Sequence, residues 1–219
     1  TTYAGTAGLD SVRILQNFVR TTYGYETGGF EDNPETVEAN RIAAKLDWNL
    51  SPKNKLSLSY RYNDGFRNNT SRSSNSTINF FNNGFAFPTT TNSGSLELNS
   101  RIKNNSSNKL LITFTNVTDD RGALGDPFPR VRVNDGTAAI FFGTEEFSTG
   151  NLLKQNNAAI FDVFKFTKGK HTISIGTDNE FSRSTNVFIR QNYGSYQFPS
   201  IRAFLTGATA NTYNVSYSL

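Results

Sequence analysis

The sequence predicts an all-β protein: an antiparallel meander with short turns at one end and long loops at the other. Three observations carry that expectation. Several segments alternate strictly between apolar and polar residues, paired segments are joined by compact turn chemistry, and successive pairs are separated by long Asn-, Ser-, Thr- and Gly-rich connections.

From Ile42 to Leu50 every even position is apolar, while Lys45, Asp47 and Asn49 are charged or polar. This period of two marks a strand with two different faces. Ser51-Pro52-Lys53-Asn54 supplies a turn. Lys55 to Tyr62 then alternates again, with Leu56, Leu58, Tyr60 and Tyr62 on one face, so the two segments read as a hairpin. The unit recurs. Ser95 to Ile102 alternates, Lys103 to Asn108 turns, and Leu110, Ile112 and Phe114 share a face opposed by Thr113 and Thr115. A third hairpin runs from Gln155 to Phe166, turns at Thr167 to Lys170 and returns through Ile173 and Ile175 towards Phe181. A slip of phase around Val163 and Phe164 points to a bulge in its first arm. A last segment, with Tyr213, Val215, Tyr217 and Leu219 opposed by Asn214, Ser216 and Ser218, brings the count to about seven strands and lacks a partner within the sequence.

Ahead of these strands, residues 1–40 read as irregular outer-loop chain containing a short helix over Leu9 to Val19. Val12, Leu15, Phe18 and Val19 recur there at helical spacing, with Asp10 or Ser11 as cap. Residues 41–219 read as the strand-bearing unit. Its long connections, Asp64 to Ser93, Asp119 to Gly150 and Thr185 to Ala210, exceed the about 12–15 residues above which a structureless loop is uncommon. Short turns and long loops strictly alternate, which places all the turns at one end of the meander.

Composition excludes several function classes. Hydrophobic residues make up only 36%, yet aromatics reach 13%, with nineteen Phe and nine Tyr. Disordered chains are poor in such rings, so these must be buried or face something apolar. The absence of Cys removes disulfides, thiolate metal sites and cysteine nucleophiles. A single His, His171, excludes a site needing two imidazoles. No apolar run approaches the roughly 18 residues of a spanning helix, the longest being Ala138 to Phe142. The net charge of +4 comes from 22 basic residues interspersed with 18 acidic ones, which is not the clustered patch expected of a nucleic-acid partner. A start at Thr1-Thr2-Tyr3 with no Met anywhere suggests a processed chain or a piece of a longer one.

Two architectures share this alternation. In a soluble β-sandwich, such as a secreted adhesin or carbohydrate-binding module, the apolar face meets a second sheet, so Leu46, Trp48, Leu56, Leu58, Ile173 and Ile175 would join in a dry core. In a transmembrane β-barrel the same residues face lipid and the polar face lines a wet lumen. Arms of ten residues or more suit the about 9–11 needed to cross a bilayer at a tilt. Trp48 and Phe166 beside the short turns, with Tyr60, Tyr62 and Phe181 towards the long loops, suit two interfacial girdles. On the barrel reading Lys45, Asp47, Glu97, Arg101, Asp178 and Glu180 line the lumen wall, and Asp178, Glu180 and Arg183 read as recurring on one strand face, as residues lining a substrate path would. Single-chain barrels have even strand numbers of at least about eight, so a count near seven suggests a section of a larger one, or a small barrel that finds an eighth strand.

No catalytic site is expected. There is no nucleophile elbow and no phosphate-cradling loop. Glu145 and Glu146, as strand neighbours, would point to opposite faces. Asp119, Asp120, Asp126 and Asp135 lack calcium-loop spacing, and His171 stands alone, so neither a metal nor a cofactor is assigned. Phe80, Phe81, Phe85, Phe87, Tyr193 and Tyr196 are loop aromatics that either stack on a ligand or anchor folded loops, with Phe85, Phe87, Tyr193 and Tyr196 the candidate ligand contacts.

Particular residues add a family resemblance covering most of the chain from Tyr23 onward. Ala44-Lys45-Leu46-Asp47-Trp48-Asn49-Leu50-Ser51, followed by Lys55-Leu56-Ser57-Leu58-Ser59-Tyr60-Arg61-Tyr62, resembles the early barrel hairpin of TonB-dependent outer-membrane receptors, particularly the Oar-like branch. Gly125-Asp126-Pro127-Phe128-Pro129-Arg130-Val131 resembles an outer-loop motif of that branch. Lys168-Gly169-Lys170-His171-Thr172-Ile173-Ser174-Ile175-Gly176 resembles its turn-and-strand motif, and Tyr193-Gly194-Ser195-Tyr196-Gln197-Phe198 with Phe204-Leu205-Thr206-Gly207 the loop that follows. The resemblance implies the outer membrane of a Gram-negative bacterium, a larger barrel with a plug, membrane lipid around the wall, and a bulky nutrient as substrate. It also implies TonB as a partner, contacted through a plug segment that is not recognisable in these residues.

Overall fold

The computed structural model describes residues 3–217 and converts the alternating segments into long strands. In chain order the elements are α1 (Gly8–Tyr23), β1 (Val37–Ser51), β2 (Asn54–Asn69), β3 (Thr77–Asn79), β4 (Phe85–Lys103), β5 (Ser106–Asp120), β6 (Gly122–Ala123), β7 (Arg130–Asp135), β8 (Ala138–Phe142), β9 (Asn151–Lys168), β10 (His171–Phe188), β11 (Ser195–Phe198), α2 (Ile201–Leu205) and β12 (Thr212–Asn214). Six of them, ordered β1-β2-β4-β5-β9-β10, make one antiparallel wall, and β6 pairs with the outer end of β4. The other five form a smaller sheet ordered β12-β11-β7-β8-β3.

The three expected hairpins are present with tighter turns than the sequence suggests. Each closes over two residues, Pro52-Lys53, Asn104-Asn105 and Gly169-Lys170, as tight antiparallel connections do. Gly169 adopts φ 61°, which only a residue without Cβ tolerates freely. The pairing of β9 with β5 and β10 runs unbroken, so the bulge expected at Val163 and Phe164 is absent. The apparent phase slip arises because both faces of β9 are apolar there. Register shifts occur instead beside two of the short turns, at Asn49/Ser51 and Arg101/Lys103.

The wall strands are 15 to 19 residues long. A bilayer needs about 9–11, so their outer ends project beyond it. These ends run into segments read from sequence as loop, leaving residues 70–84, 121–150 and 189–211 as the true connections. The final segment also differs from expectation. Thr212–Asn214 pairs with β11 in the small sheet, so it has a partner and is not a seventh wall strand. Ser218 and Leu219, the end of that expected strand, lie outside the described residues.

The long connections are themselves folded. Among the described residues, the buried apolar side chains lie in them or in the amino-terminal stretch, and none lies in the six wall strands; they include Val12, Leu15 and Val19 from α1, Phe80, Val131, Val133, Ile140 and Phe142 from the connections, and Ile201 and Phe204 from α2. The i, i+3, i+7 spacing of Val12, Leu15 and Val19 aims one face of α1 at the small sheet. The helix is longer than expected and ends at Gly24, whose φ of 65° lets its N–H bond to the Arg20 carbonyl. Phe142 sits at the centre, with ring centroids 5.6 Å from Phe204 and 6.3 Å from Phe80, both edge-on. We refer to this assembly of α1, α2 and the small sheet as the outer subdomain.

Its amino-terminal cap comes from another element. Neither Asp10 nor Ser11 caps α1; Ala7 occupies the cap position without a side-chain bond. The buried carboxylate of Asp135, at the end of β7, accepts from the Ala7 N–H (3.0 Å) and the Tyr3 hydroxyl (3.0 Å). A carboxylate at a helix N-terminus meets unpaired donors and the positive end of the dipole. Burial, together with Asp135, pushes the Tyr3 phenol well above its ordinary range. Asp135→Ala should therefore destabilise the outer subdomain by about 1–3 kcal/mol, read as a lower thermal midpoint for its near-ultraviolet aromatic signal. An unchanged midpoint would show that Asp135 is not an anchor.

Candidate functional site

Residues directly opposite each other in an antiparallel sheet share a face. One row of partners runs Lys45, Ser59, Ser95, Thr113, Ala159, Glu180, and the next runs Asp47, Ser57, Glu97, Leu111, Phe161, Asp178. Arg101, opposite Ser107, belongs to the same face. All six residues expected to line a lumen thus lie on one side of the wall, spread over strands that are far apart in sequence. Lys45 and Lys55 pair with Asp47 at 3.2 and 3.5 Å, Ser57 donates to the same carboxylate, and Lys109 pairs with Glu97 at 3.0 Å. Exposed pairs of this kind contribute little stability, about 0–1 kcal/mol each, and hold the charges in a hydrated ladder. Among the described residues, neither Asp178 nor Glu180 has a cationic partner within 4.0 Å. Arg183 does not join them: its register opposite Asn156 puts it on the other face, because positions of opposite parity point to opposite sides.

That other face carries Leu46, Trp48, Leu58, Ile112, Phe114, Ile160, Ile175 and Phe181. Its side chains stay uncovered, with Leu46 57% exposed, Ile112 39% and Ile175 64%. No second sheet packs on them, so the dry core of a sandwich, with Leu46, Trp48 and Ile175 meeting inside, does not form. In the central strands the polar-face residues Ser59, Thr113 and Ala159 are half-buried, whereas Leu58, Ile112 and Ile160 beside them are exposed. A wall that curves towards its polar side behaves in this way. A continuous apolar face of this extent would drive aggregation in water and is satisfied by hydrocarbon.

The family comparison agrees with this two-faced wall. The model of the outer membrane beta barrel domain family matches residues 11–218. The chain belongs to that family. No curated protein and no solved structure matches it. As an outer membrane beta barrel domain it resides in the outer membrane of a Gram-negative bacterium, and its six strands form part of the barrel wall. Unpaired strand edges are not tolerated in hydrocarbon, so the free edges of β1 and β10 require neighbouring strands to complete the barrel.

The uncovered apolar face makes Trp48 a test of depth. Trp48 lies four residues before the Pro52-Lys53 turn, on the apolar face, 59% exposed. Its emission should be quenched most by lipids brominated near the headgroup and least by those brominated at the chain ends. Quenching by neither would place Trp48 away from lipid.

Two of the domain's four candidate ligand aromatics are not in a long connection. Phe85 and Phe87 belong to β4 rather than a loop, and the Arg121 guanidinium covers both, 5.6 and 4.7 Å from the ring centroids. Tyr196 lies on β11 against Tyr213, with centroids 4.5 Å apart, while Tyr193 stands in the preceding connection, 43% exposed. Phe80 is fully buried and serves the core. Glu145 and Glu146 follow β8 in a turn, not on a strand, and Glu146 is nearly buried. Asp119 accepts from Thr89 and Asp135 caps α1, so the four carboxylates considered for calcium have separate structural partners or positions.

Two features escaped sequence reasoning. Asp162, Asn108, Thr177 and Asn179 form a polar patch in the otherwise apolar face, joined by Asn108 donating to Asp162 (2.7 Å) and Asn179 to Thr177 (2.8 Å). Parity counted from Ile160 would have revealed it. The second is a cluster of Arg130, Arg132 and Arg190. The alternation Arg130-Val131-Arg132-Val133 was a legible signal of a basic strand face, but Arg190 joins it only through the fold.

Proposed function

We propose that the chain is a non-enzymatic wall section of a TonB-dependent, Oar-like outer-membrane receptor that takes up bulky nutrients or serves an outer-membrane assembly. The observation that carries the reading is the ladder of Lys45, Asp47, Glu97, Arg101, Asp178 and Glu180 on one wall face, at the end of which the outer subdomain folds. A hydrated, charged lumen suits passage or plug contact, and a folded extracellular unit suits capture of a large ligand. The ordered motifs from Ala44 to Tyr62, Gly125 to Val131 and Lys168 to Gly176 support the same branch. Membrane lipid would surround the apolar face, and TonB would engage a plug belonging to the complete receptor.

The test is energy-dependent uptake in the native bacterium. Deleting the gene should abolish growth on one class of bulky nutrient, and the protein should crosslink to TonB in intact envelopes. Loss of outer-membrane protein complexes with neither crosslinking nor a growth defect would replace transport by the assembly role.

A further inference from the structure

The outer subdomain contains a cleft of about 270 Å³ that the wall reading leaves unused. It opens on the face of the small sheet opposite the core. The register explains its contents. Arg130 and Arg132, two apart on β7, share a face, with Ser195 and Gln197 alongside them on β11 and Phe141 opposite Arg132 on β8. Val131 and Val133, of opposite parity, enter the core. The connection after β10 then brings Arg190 and Gln191 to the rim.

Two of the three guanidinium groups meet one carboxylate here. Glu146 pairs with Arg190 at 3.3 Å and with Arg130 at 3.8 Å, and accepts from the Gln191 side chain at 2.8 Å. Arg132 has no carboxylate within 4.0 Å among the described residues; its Nε donates to Asn134 at 3.1 Å, leaving its terminal nitrogens free. Both Arg130 and Arg132 lie over the Phe141 ring, at 4.8 and 5.6 Å, which fixes their planes. Arg130 is largely buried, and that burial pushes its guanidinium pKa down while Glu146 opposes the shift. Gln191 adopts φ 55°, a left-handed backbone unusual for a residue with a side chain, while its N–H bonds the Glu146 carbonyl. The positive side chains are therefore held in place with donors unspent.

We propose that this cleft binds an oxyanion group, a phosphate or carboxylate cluster, through the forks of Arg132 and Arg190, with Arg130 and Glu146 as positioning residues. Planar guanidinium forks match such groups bidentately, and a bound anion relieves the crowding of three like charges. The chemistry is the same whether the group is carried by a free solute or by a phosphorylated lipid headgroup of the outer leaflet. The site rests on the outer subdomain alone and holds whether or not the barrel imports anything.

The experiment is calorimetric titration of the protein, purified from outer membranes in detergent, with inorganic pyrophosphate. Arg132→Gln, which breaks no ion pair, should weaken binding at least about tenfold, and Arg132→Lys should recover part of the loss. Arg20→Gln on α1 makes the same change in net charge and should leave binding intact. Repeating the titration in phosphatidylcholine nanodiscs with and without diphosphorylated lipid A separates the sources: blockage by lipid A identifies the headgroup, and unaffected binding identifies a solute. Absence of binding to pyrophosphate and to lipid A alike, or equal losses for Arg132→Gln and Arg20→Gln, would overturn the proposal.

Discussion

Ile112→Arg should destabilise the assembled barrel by about 2–4 kcal/mol, whereas Thr113→Arg, one residue along, should cost less than about 1 kcal/mol. The two positions sit near the middle of β5 and differ in little except direction. Ile112 points to the uncovered apolar face, where it shares a row with Leu58, Leu96 and Ile160. A guanidinium there must be dragged towards the headgroups or dehydrated in hydrocarbon. Thr113 shares its row with Ser59, Ser95 and Glu180, where water and a carboxylate are at hand. The readouts are the amount of folded, heat-modifiable protein in outer-membrane fractions and the denaturant midpoint in phosphatidylcholine vesicles. Equal costs at the two positions, or the larger cost at Thr113, would reverse the assignment of wet and lipid faces.

Phe142→Ala should unfold the outer subdomain while leaving the wall in place. Phe142 is fully buried and packs against Phe128 of its own connection and Phe80 and Phe204 of the two others. Truncating a buried Phe leaves a cavity and typically costs about 3–5 kcal/mol, a large fraction of what a small core supplies. Phe147, five residues on, is 43% exposed and makes one cation–π contact, with Arg190 at 4.8 Å; Phe147→Ala should cost about 1 kcal/mol or less. Limited proteolysis of intact cells would cut the Phe142→Ala variant within residues 70–84, 121–150 or 189–211 and leave the strands protected. Simultaneous loss of strand protection would mean that the subdomain and the wall fold as one unit.

These two expectations divide along the line between local and long-range information. The pattern in Ile42 to Leu50 and Lys55 to Tyr62 specified two strands, a turn between them and the face of each side chain along them, because a period of two is written in neighbouring residues. The same logic placed Lys45, Asp47, Glu97, Arg101, Asp178 and Glu180 together. It failed for Arg183 through miscounted parity, and it misread Val163 as a bulge because both faces of β9 are apolar. Strand ends such as Phe85 and Phe87 look like loop in the sequence because beyond the bilayer both faces are wet and the alternation fades.

The sequence by itself determined the wall hairpins and their two faces, and narrowed the apolar face to two partners, a second sheet or lipid. Only the tertiary structure decided that the long connections build a subdomain with its own dry core. Its core gathers Val12 and Phe142 into one cluster, and its polar contacts join Asp135 to Ala7 and Glu146 to Arg190. No periodicity encodes such pairs, since their energy comes from burial and charge between segments that are remote in the chain and meet only in the folded molecule.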